Sequence, residues 1–372
     1  MKIVIIGMGF LAEYLRPCYL NLLGGDLAHK VVGVTADGKD LERKNEVCGF
    51  PVLLNENRKA LDEVHPDIIM FSPPPSVAPE LAETVLKPYY AELRKKGELL
   101  PDLFAFPPNP PGKYYLDTIG NDIHVCNLLP NMTSVINGKD VATECYNNAT
   151  FPNEAPWPQE NVDRLKRFFA PIGEVIPMVP ELVLQMLGGI VIFHNLSQVI
   201  FTIADGLKEA GLDVRYQDIA SALRYANQVQ RNFVLPNAYP CSDKDVDAKL
   251  YDALQKVAYN WYEGCKQYYV EIGMEPELAD RIITPQFAIH SQLHQLMKRE
   301  DIEYDQSCHA TKGGVLEKGI YTFNTEIKEP MKNIFANYNN QEFGDDFCFS
   351  IKVWAHHLAD VVGTHGARLS KK

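Results

Sequence analysis

The 372-residue chain is short of positive charge: 36 Lys and Arg stand against 48 Asp and Glu, a formal net charge of −12. A nucleic-acid binder needs a basic excess to meet phosphates, so that class is not expected. No long apolar run is uninterrupted. The longest, 182–203, contains Gln185, His194, Asn195, Ser197 and Gln198. It reads as a helix of a protein core rather than a membrane span. The apolar run Ile3–Ile6 at the start is too short for the core of a signal peptide. Paired cysteines are missing too. Cys18, Cys48, Cys126, Cys145, Cys241, Cys265, Cys308 and Cys348 never lie within four residues of one another. That excludes a C-x-x-C zinc or redox spacing and a dense disulfide framework. Cys18, Cys126 and Cys145 sit in apolar or mixed surroundings, as structural thiols do, and a reducing cytoplasm is the expected compartment. There is no internal repeat and no low-complexity tract.

What remains is ordinary globular composition, long enough for two domains. In the first half, short apolar runs alternate with helical patterns. Strands are predicted at 2–6, 30–35, 51–54, 68–72, 102–106, 123–127, 139–147 and 173–178. Helices are predicted at 9–23, 41–48, 77–96 and 160–169. Pro17 makes a kink or restart expected within the first helix. Strands alternating with helices imply βαβ units and a parallel sheet. Two proline clusters, Pro73–Pro75 and Pro107–Pro111, directly follow strands. They mark loops at the strands' carboxyl ends, the edge where open α/β sheets bind ligands. Beyond about residue 180 helical periodicity takes over, with helices predicted at 182–187, 190–204, 219–233, 246–273, 278–298, 315–338 and 347–362. The expected division is 1–179 and 180–372. The second part is all-α, and its thoroughly apolar first helix implies cover from a partner chain.

Gly7-Met8-Gly9-Phe10-Leu11-Ala12 is a G-x-G-x-x-A pattern that follows the first strand and opens the first helix. In that context it reads as a dinucleotide-binding turn. Gly7 permits the tight turn, Gly9 lets a pyrophosphate approach the backbone, and Ala12 allows close helix–strand packing. The expected fold is therefore α/β, an N-terminal Rossmann doubly wound parallel sheet followed by an all-α C-terminal dimerisation domain. The end of the second strand should select the cofactor. Thr35, followed by Lys39 and Arg43, suits a 2′-phosphate and points to NADP. Asp37, reached by a two-residue shift of the strand end, would read a 2′-hydroxyl instead and keeps NAD open. Lys39 and Arg43 are also what a solvated helix face would carry.

With these motifs the chain resembles the pyrroline-5-carboxylate reductase superfamily, the helical-dimer oxidoreductases related to 6-phosphogluconate dehydrogenase. Lys2–Ala12 is similar to that family's opening strand and glycine turn. Asp67–Pro75 is similar to a strand ending beside the nicotinamide ribose, so the resemblance implies cofactor contacts at Ser72, Pro73 and Pro74. Leu129–Thr133 resembles a loop bordering cofactor and substrate, which implies roles for Pro130 and, as a positioning amide, Asn131. Residues 185–211 resemble the long interdomain helix, and 310–319 the glycine-pair signature. The departures are informative. Lys312 replaces the signature's proline, and Val315 and Leu316 replace two threonines, the second of which donates a hydroxyl to substrate. No Gly-x-x-Lys lies at the buried helix, unlike a 3-hydroxyacid dehydrogenase. The expectation is an NAD(P)-dependent oxidoreductase acting on a small polar imine, carbonyl or hydroxy acid, and not on pyrroline-5-carboxylate. The chain is longer than that family requires in 232–300 and after residue 338.

Hydride transfer needs a proton partner. His194 in the buried helix is one candidate, although a core histidine bonded to a carbonyl would look the same. Glu317 is another, with the competing reading of a carboxylate stabilising a helix start. Lys312, Gly313 and Gly314 are expected to meet the substrate, whether or not Lys312 is simply solvated. His290 and His294, at i and i+4, have a spacing that can chelate a metal, with His309 as a third ligand. They lack an adjacent acid, and no metal is expected. The aromatic group from Tyr251 to Tyr269 reads as packing. A homodimer through the helical part is expected, with neither nucleic acid nor membrane as partner. The alternative is a dinucleotide-binding sensor or scaffold without turnover.

Overall fold

The computed structural model describes residues 1–130, 146–178, 182, 185–186, 188–189, 195–231, 247–310 and 312–369. The chain divides into two compact units, Met1–Val183 and Leu184–Lys372.

The first unit is built on an eight-stranded sheet of order β3-β2-β1-β4-β5-β6-β7-β8. The strands are β1 (Ile3–Ile6), β2 (Val31–Thr35), β3 (Val52–Leu54), β4 (Ile68–Phe71), β5 (Asp102–Ala105), β6 (Val125–Leu129), β7 (Tyr146–Thr150) and β8 (Glu174–Pro177). β1, β4 and β5 are buried at every position, as expected of strands covered on both faces. Successive side chains alternate between two cores. Ile3, Ile5, Ile68, Met70 and Phe104 join one, with Ala12, Tyr19, Leu165 and Phe168 from the helices over that face. Val4, Ile6, Ile69, Phe71 and Leu103 join the other, with Leu61, Leu86, Tyr90 and Tyr115. The sheet is therefore wound on both sides, and its first six strands carry the 3-2-1-4-5-6 order of a Rossmann domain.

The sheet is not parallel throughout. β7 runs antiparallel to β6, and β8 is parallel to β7, so the last two strands are reversed relative to the other six. An apolar run states that a strand is buried but not which way it points. The strand expected at 139–147 is seen only as Tyr146–Thr150, and 131–145 lie outside the described residues.

Prolines account for the interrupted helices. The first helix divides into Phe10–Tyr14 and Arg16–Leu23, with Pro17 at the start of the second piece. The helix predicted at 77–96 contains a π turn, Ala82–Leu86, just before Pro88. Pro88 has no N–H to continue an i→i−4 ladder. Two helices, Asn57–Val64 and Gly112–Ile119, were not expected from the sequence.

The second unit has helices and no strand among its described residues. Its helices are Leu196–Glu209, Tyr216–Arg231, Ala248–Glu271, Pro276–Leu296, Arg299–His309, Val315–Thr322, Lys328–Ala336 and Asp345–Leu369. The predicted 315–338 helix is broken by a π turn, Phe323–Ile327, shortly before Pro330. The predicted 278–298 helix stops at Leu296 and a separate helix starts at Arg299. Among the described residues no helix is long and apolar enough to cross a membrane.

Candidate functional site

Because β1, β2, β4, β5 and β6 are parallel, the loops after them open on one edge. The strand order reverses between β1 and β4, where a doubly wound sheet forms its ligand crevice. Gly7 follows β1 at this point with φ +97°. Its N–H and that of Met8 both donate to the Val34 carbonyl, at 3.0 and 2.9 Å. A Cβ on Gly7 would lie 2.6 Å from the carbonyl carbon of Ser72 and 2.7 Å from the nitrogen of Pro73. The glycine therefore serves both the turn and the close approach of the β4 loop. Gly9 differs. It caps the Phe10–Tyr14 helix in an extended conformation, and a Cβ there would meet nothing within 4 Å. The backbone is open on the side where the motif requires a pyrophosphate to approach.

Met8 is not a surface contact. Its side chain is 1% exposed and occupies the space left by Gly33 of β2, where a Cβ would fall 2.4 Å from the Met8 Cγ. The backbone of Met8 is what reaches the turn, and Lys44 Nζ donates to its carbonyl at 2.9 Å. The sequence carries no signal for this contact, since 36 residues separate the two. Leu11 is half-buried, Ala12 is buried in the core, and Phe10 is placed here by its backbone alone.

At the end of β2, Thr35 is buried and its hydroxyl is turned into the local chain. It donates to the Asp37 carbonyl at 3.2 Å and accepts the Asp37 N–H at 3.3 Å. The Asp37 carboxylate in turn accepts the Lys39 N–H at 2.9 Å. Thr35 thus shapes the loop, and Lys39 is the exposed cation at its tip. Arg43 forms a two-pronged ion pair with Glu13 of the first helix, both distances 3.1 Å. Ser72 is half-buried, Pro73 buried and Pro74 exposed, with the Pro74 carbonyl starting the next helix. Pro130, half-buried, follows β6 at the same edge, three strands from β1. Asn131 lies outside the described residues.

In the helical unit, Gly314 caps the Val315–Thr322 helix, and the Gly313 N–H donates to Glu317 Oε2 at 2.6 Å. His365 Nε2 lies 2.9 Å from the Gly313 carbonyl. Glu317 is accordingly bonded to the glycine pair as a helix-start carboxylate, while Lys312 is exposed. His194 lies outside the described residues, as does the side chain of His309. His290 and His294 are both buried and share one hydroxyl. Ser197 Oγ lies 3.3 Å from His290 Nδ1 and 3.1 Å from His294 Nε2. Burial pushes the His294 pKa down to about 3, so this imidazole is neutral. Among the described residues no group of three His, Cys, Asp or Glu is placed to hold a metal. Ser197 was visible in the sequence only as a polar interruption of an apolar helix, which demands a partner without naming one.

No family model matches the chain, and no curated protein matches it by sequence. Solved structures do resemble it. Pyrroline carboxylate reductase of Plasmodium falciparum with NADP bound is 12% identical, covers 95% of this chain and 98% of its own, and has a TM-score of 0.38. Prephenate dehydrogenase of Aquifex aeolicus is 15% identical over 76% of this chain and 96% of its own, with a TM-score of 0.39. UDP-glucose dehydrogenase of Pyrobaculum islandicum is 12% identical over 77% and 67%, with a TM-score of 0.40. Likeness at this level brings neither activity nor ligand to this chain.

Proposed function

We propose that this chain binds a nicotinamide dinucleotide at the carboxyl edge of its N-terminal unit. We infer that it is an NAD(P)-dependent oxidoreductase of the pyrroline-5-carboxylate reductase type. Its substrate is a small polar imine, carbonyl or hydroxy acid other than pyrroline-5-carboxylate. The observation that carries the reading is the Gly7–Gly9 turn at the β1/β4 switch point, closed at Gly7 and open at Gly9. The dinucleotide supplies the hydride donor or acceptor when bound. The backbone of Gly7 to Leu11 holds its pyrophosphate, with the Met8 peptide oriented by Val34 and Lys44. Ser72, Pro73 and Pro74 wall the crevice. Thr35 keeps the β2 loop in shape, so that Lys39 meets a 2′-phosphate, which favours NADP over NAD. Pro130 and Asn131 border the substrate, and Lys312, Gly313 and Gly314 hold its carboxylate. His194 or Glu317 moves the proton. The enzyme works in the cytoplasm as a homodimer through its helical unit, whose last helix leaves Phe349 and Val353 exposed one turn apart.

Titration of the purified protein with NADPH and with NADH, followed by energy transfer to the reduced nicotinamide, tests the reading. Saturable binding with NADPH the tighter ligand is expected, and no binding of either overturns it. One observation favours a second reading, a dinucleotide-binding sensor without turnover: the Glu317 carboxylate already bonds the Gly313 N–H. Imino, keto and hydroxy acids that fail to consume NADPH in a protein that binds it would select the sensor.

A further inference from the structure

The helical unit holds a cavity of about 250 Å³ between the Leu196–Glu209, Arg299–His309 and Val315–Ala336 segments. At roughly 30 Å³ per water, it has the volume of about eight waters. Its floor is Phe201, whose ring lies beneath the Arg299 guanidinium at 4.7 Å and beside His294 at 5.0 Å. The Arg299 guanidinium uses three of its five N–H groups on two carboxylates. It donates to both oxygens of Asp205, at 2.7 and 3.0 Å, and through Nε to Glu303 Oε1 at 2.8 Å. It therefore builds the wall, with its charge met by two carboxylates. Glu303 also lines the cavity, and its Oε2 is outside the bond to Arg299. Lys328, on a different helix, also lines the cavity and among the described residues has no ion pair. Gln306 and Asn324 belong to the same lining.

Among the described residues the charged groups of the lining are Arg299, Lys328 and Glu303, and Asp205, bonded to Arg299, brings the set into balance. A net anion would be repelled by Glu303 and a net cation by Lys328. A molecule carrying both signs, separated, meets each with its complement and leaves the site neutral. We propose that this cavity is a binding site for a small zwitterion, of the amino acid class. The carboxylate lies on Lys328, the ammonium on Glu303, and the Asn324 amide adds a polar contact. The site stands on the helical unit alone and does not depend on the dinucleotide reading.

Isothermal titration of the full chain with the common small polar L-amino acids, one at a time and without dinucleotide, tests the proposal. A saturable binder is expected. Its N-acetyl derivative and its methyl ester should each bind about tenfold or more weakly, the loss that follows from removing one charge-assisted hydrogen bond. Lys328→Met and Glu303→Gln should weaken the parent amino acid by a similar factor. Lys328→Met should do so without lowering the melting temperature, since it breaks no ion pair. Absence of any binder at millimolar concentration overturns the proposal. So does a binder indifferent to Lys328→Met, which would sit elsewhere, or one that tolerates both derivatives, which would not be read as a zwitterion.

Discussion

The two glycines of the N-terminal turn should fail in different ways when each is replaced by alanine. At Gly7 the backbone is left-handed, φ +97°, which costs an L-residue about 1–2 kcal/mol. The added methyl would also lie 2.6 Å from the backbone of Ser72, and backbone cannot swing aside as a side-chain tip can. Separating β1 from the β4 loop adds the cost of an overpacked core, about 1–3 kcal/mol. Gly7→Ala is thus expected to lose about 2–5 kcal/mol of stability. At Gly9 the conformation, φ −97° and ψ −169°, is one alanine adopts freely, and no atom lies within 4 Å of the new methyl. The only structural cost is a poorer helix cap, about 1 kcal/mol or less. Yet that methyl fills the space kept open for a pyrophosphate, so NADPH affinity should fall at least about tenfold, a loss of about 1.4 kcal/mol. Urea denaturation and NADPH titration on both variants separate the two effects. If Gly9→Ala binds NADPH like the parent chain, the open side of the turn is not where the dinucleotide lies. If Gly7→Ala is as stable as the parent, the inferred contact with the β4 loop is wrong.

Other consequences can be measured in the same preparations. Lys39→Met should weaken NADPH about tenfold and leave NADH unchanged, and equal effects on both would remove its assignment to the 2′-phosphate. Asp102, at the amino end of β5, is 3% exposed and accepts from His124 at 3.0 Å, Asn161 at 2.8 Å and Arg164 at 3.1 Å. Asp102→Ala leaves the buried Asn161 amide without its acceptor and should cost about 1–3 kcal/mol in urea midpoint experiments. The folded His294 pKa, down to about 3 from 6.5, means that the unfolded chain takes up this proton first as pH falls. Its contribution is full above pH 6.5 and is lost below, by up to about 1.4 kcal/mol per pH unit. Unfolding of His294→Phe at pH 7.5 and 5.0 should show a shallower loss than the parent chain. Asp247 caps the Ala248–Glu271 helix by accepting the Leu250 N–H at 2.8 Å. Burial raises its pKa, but the Tyr338 hydroxyl and the Leu250 and Lys249 N–H groups outweigh this and leave it lowered. Asp247→Ala should cost about 1 kcal/mol at neutral pH, and the difference should vanish as pH falls through the carboxylate range.

The glycine turn was legible because its requirements are local: a left-handed residue after a strand, an open residue at a helix start, a small one on the helix face. The strands were legible as apolar runs, and the breaks in the helices follow from Pro17, Pro88 and Pro330. The Asn57–Val64 helix escaped because only Ala60 and Leu61 of its eight residues are buried, too few to show a period. In the candidate site, Thr35 proved to hold its own loop, and Glu317 proved to be bonded to Gly313. Such roles depend on where a side chain turns, which residue type does not state.

Sequence by itself determined that this is an acidic chain with an α/β first half, a helical second half, and a dinucleotide-type turn at its start. Those properties follow from charge, periodicity and backbone allowance, each readable over a few neighbouring residues. Only the tertiary structure decided that β7 and β8 run backwards, that Lys44 holds the Met8 carbonyl, and that Ser197 lies between His290 and His294. It also decided that Arg299, Glu303 and Lys328, from two different helices, line one cavity in the helical unit. These are contacts between residues tens of positions apart. Each is selected by the burial of a polar group that must find a partner, and the partner is known only once the chain has folded.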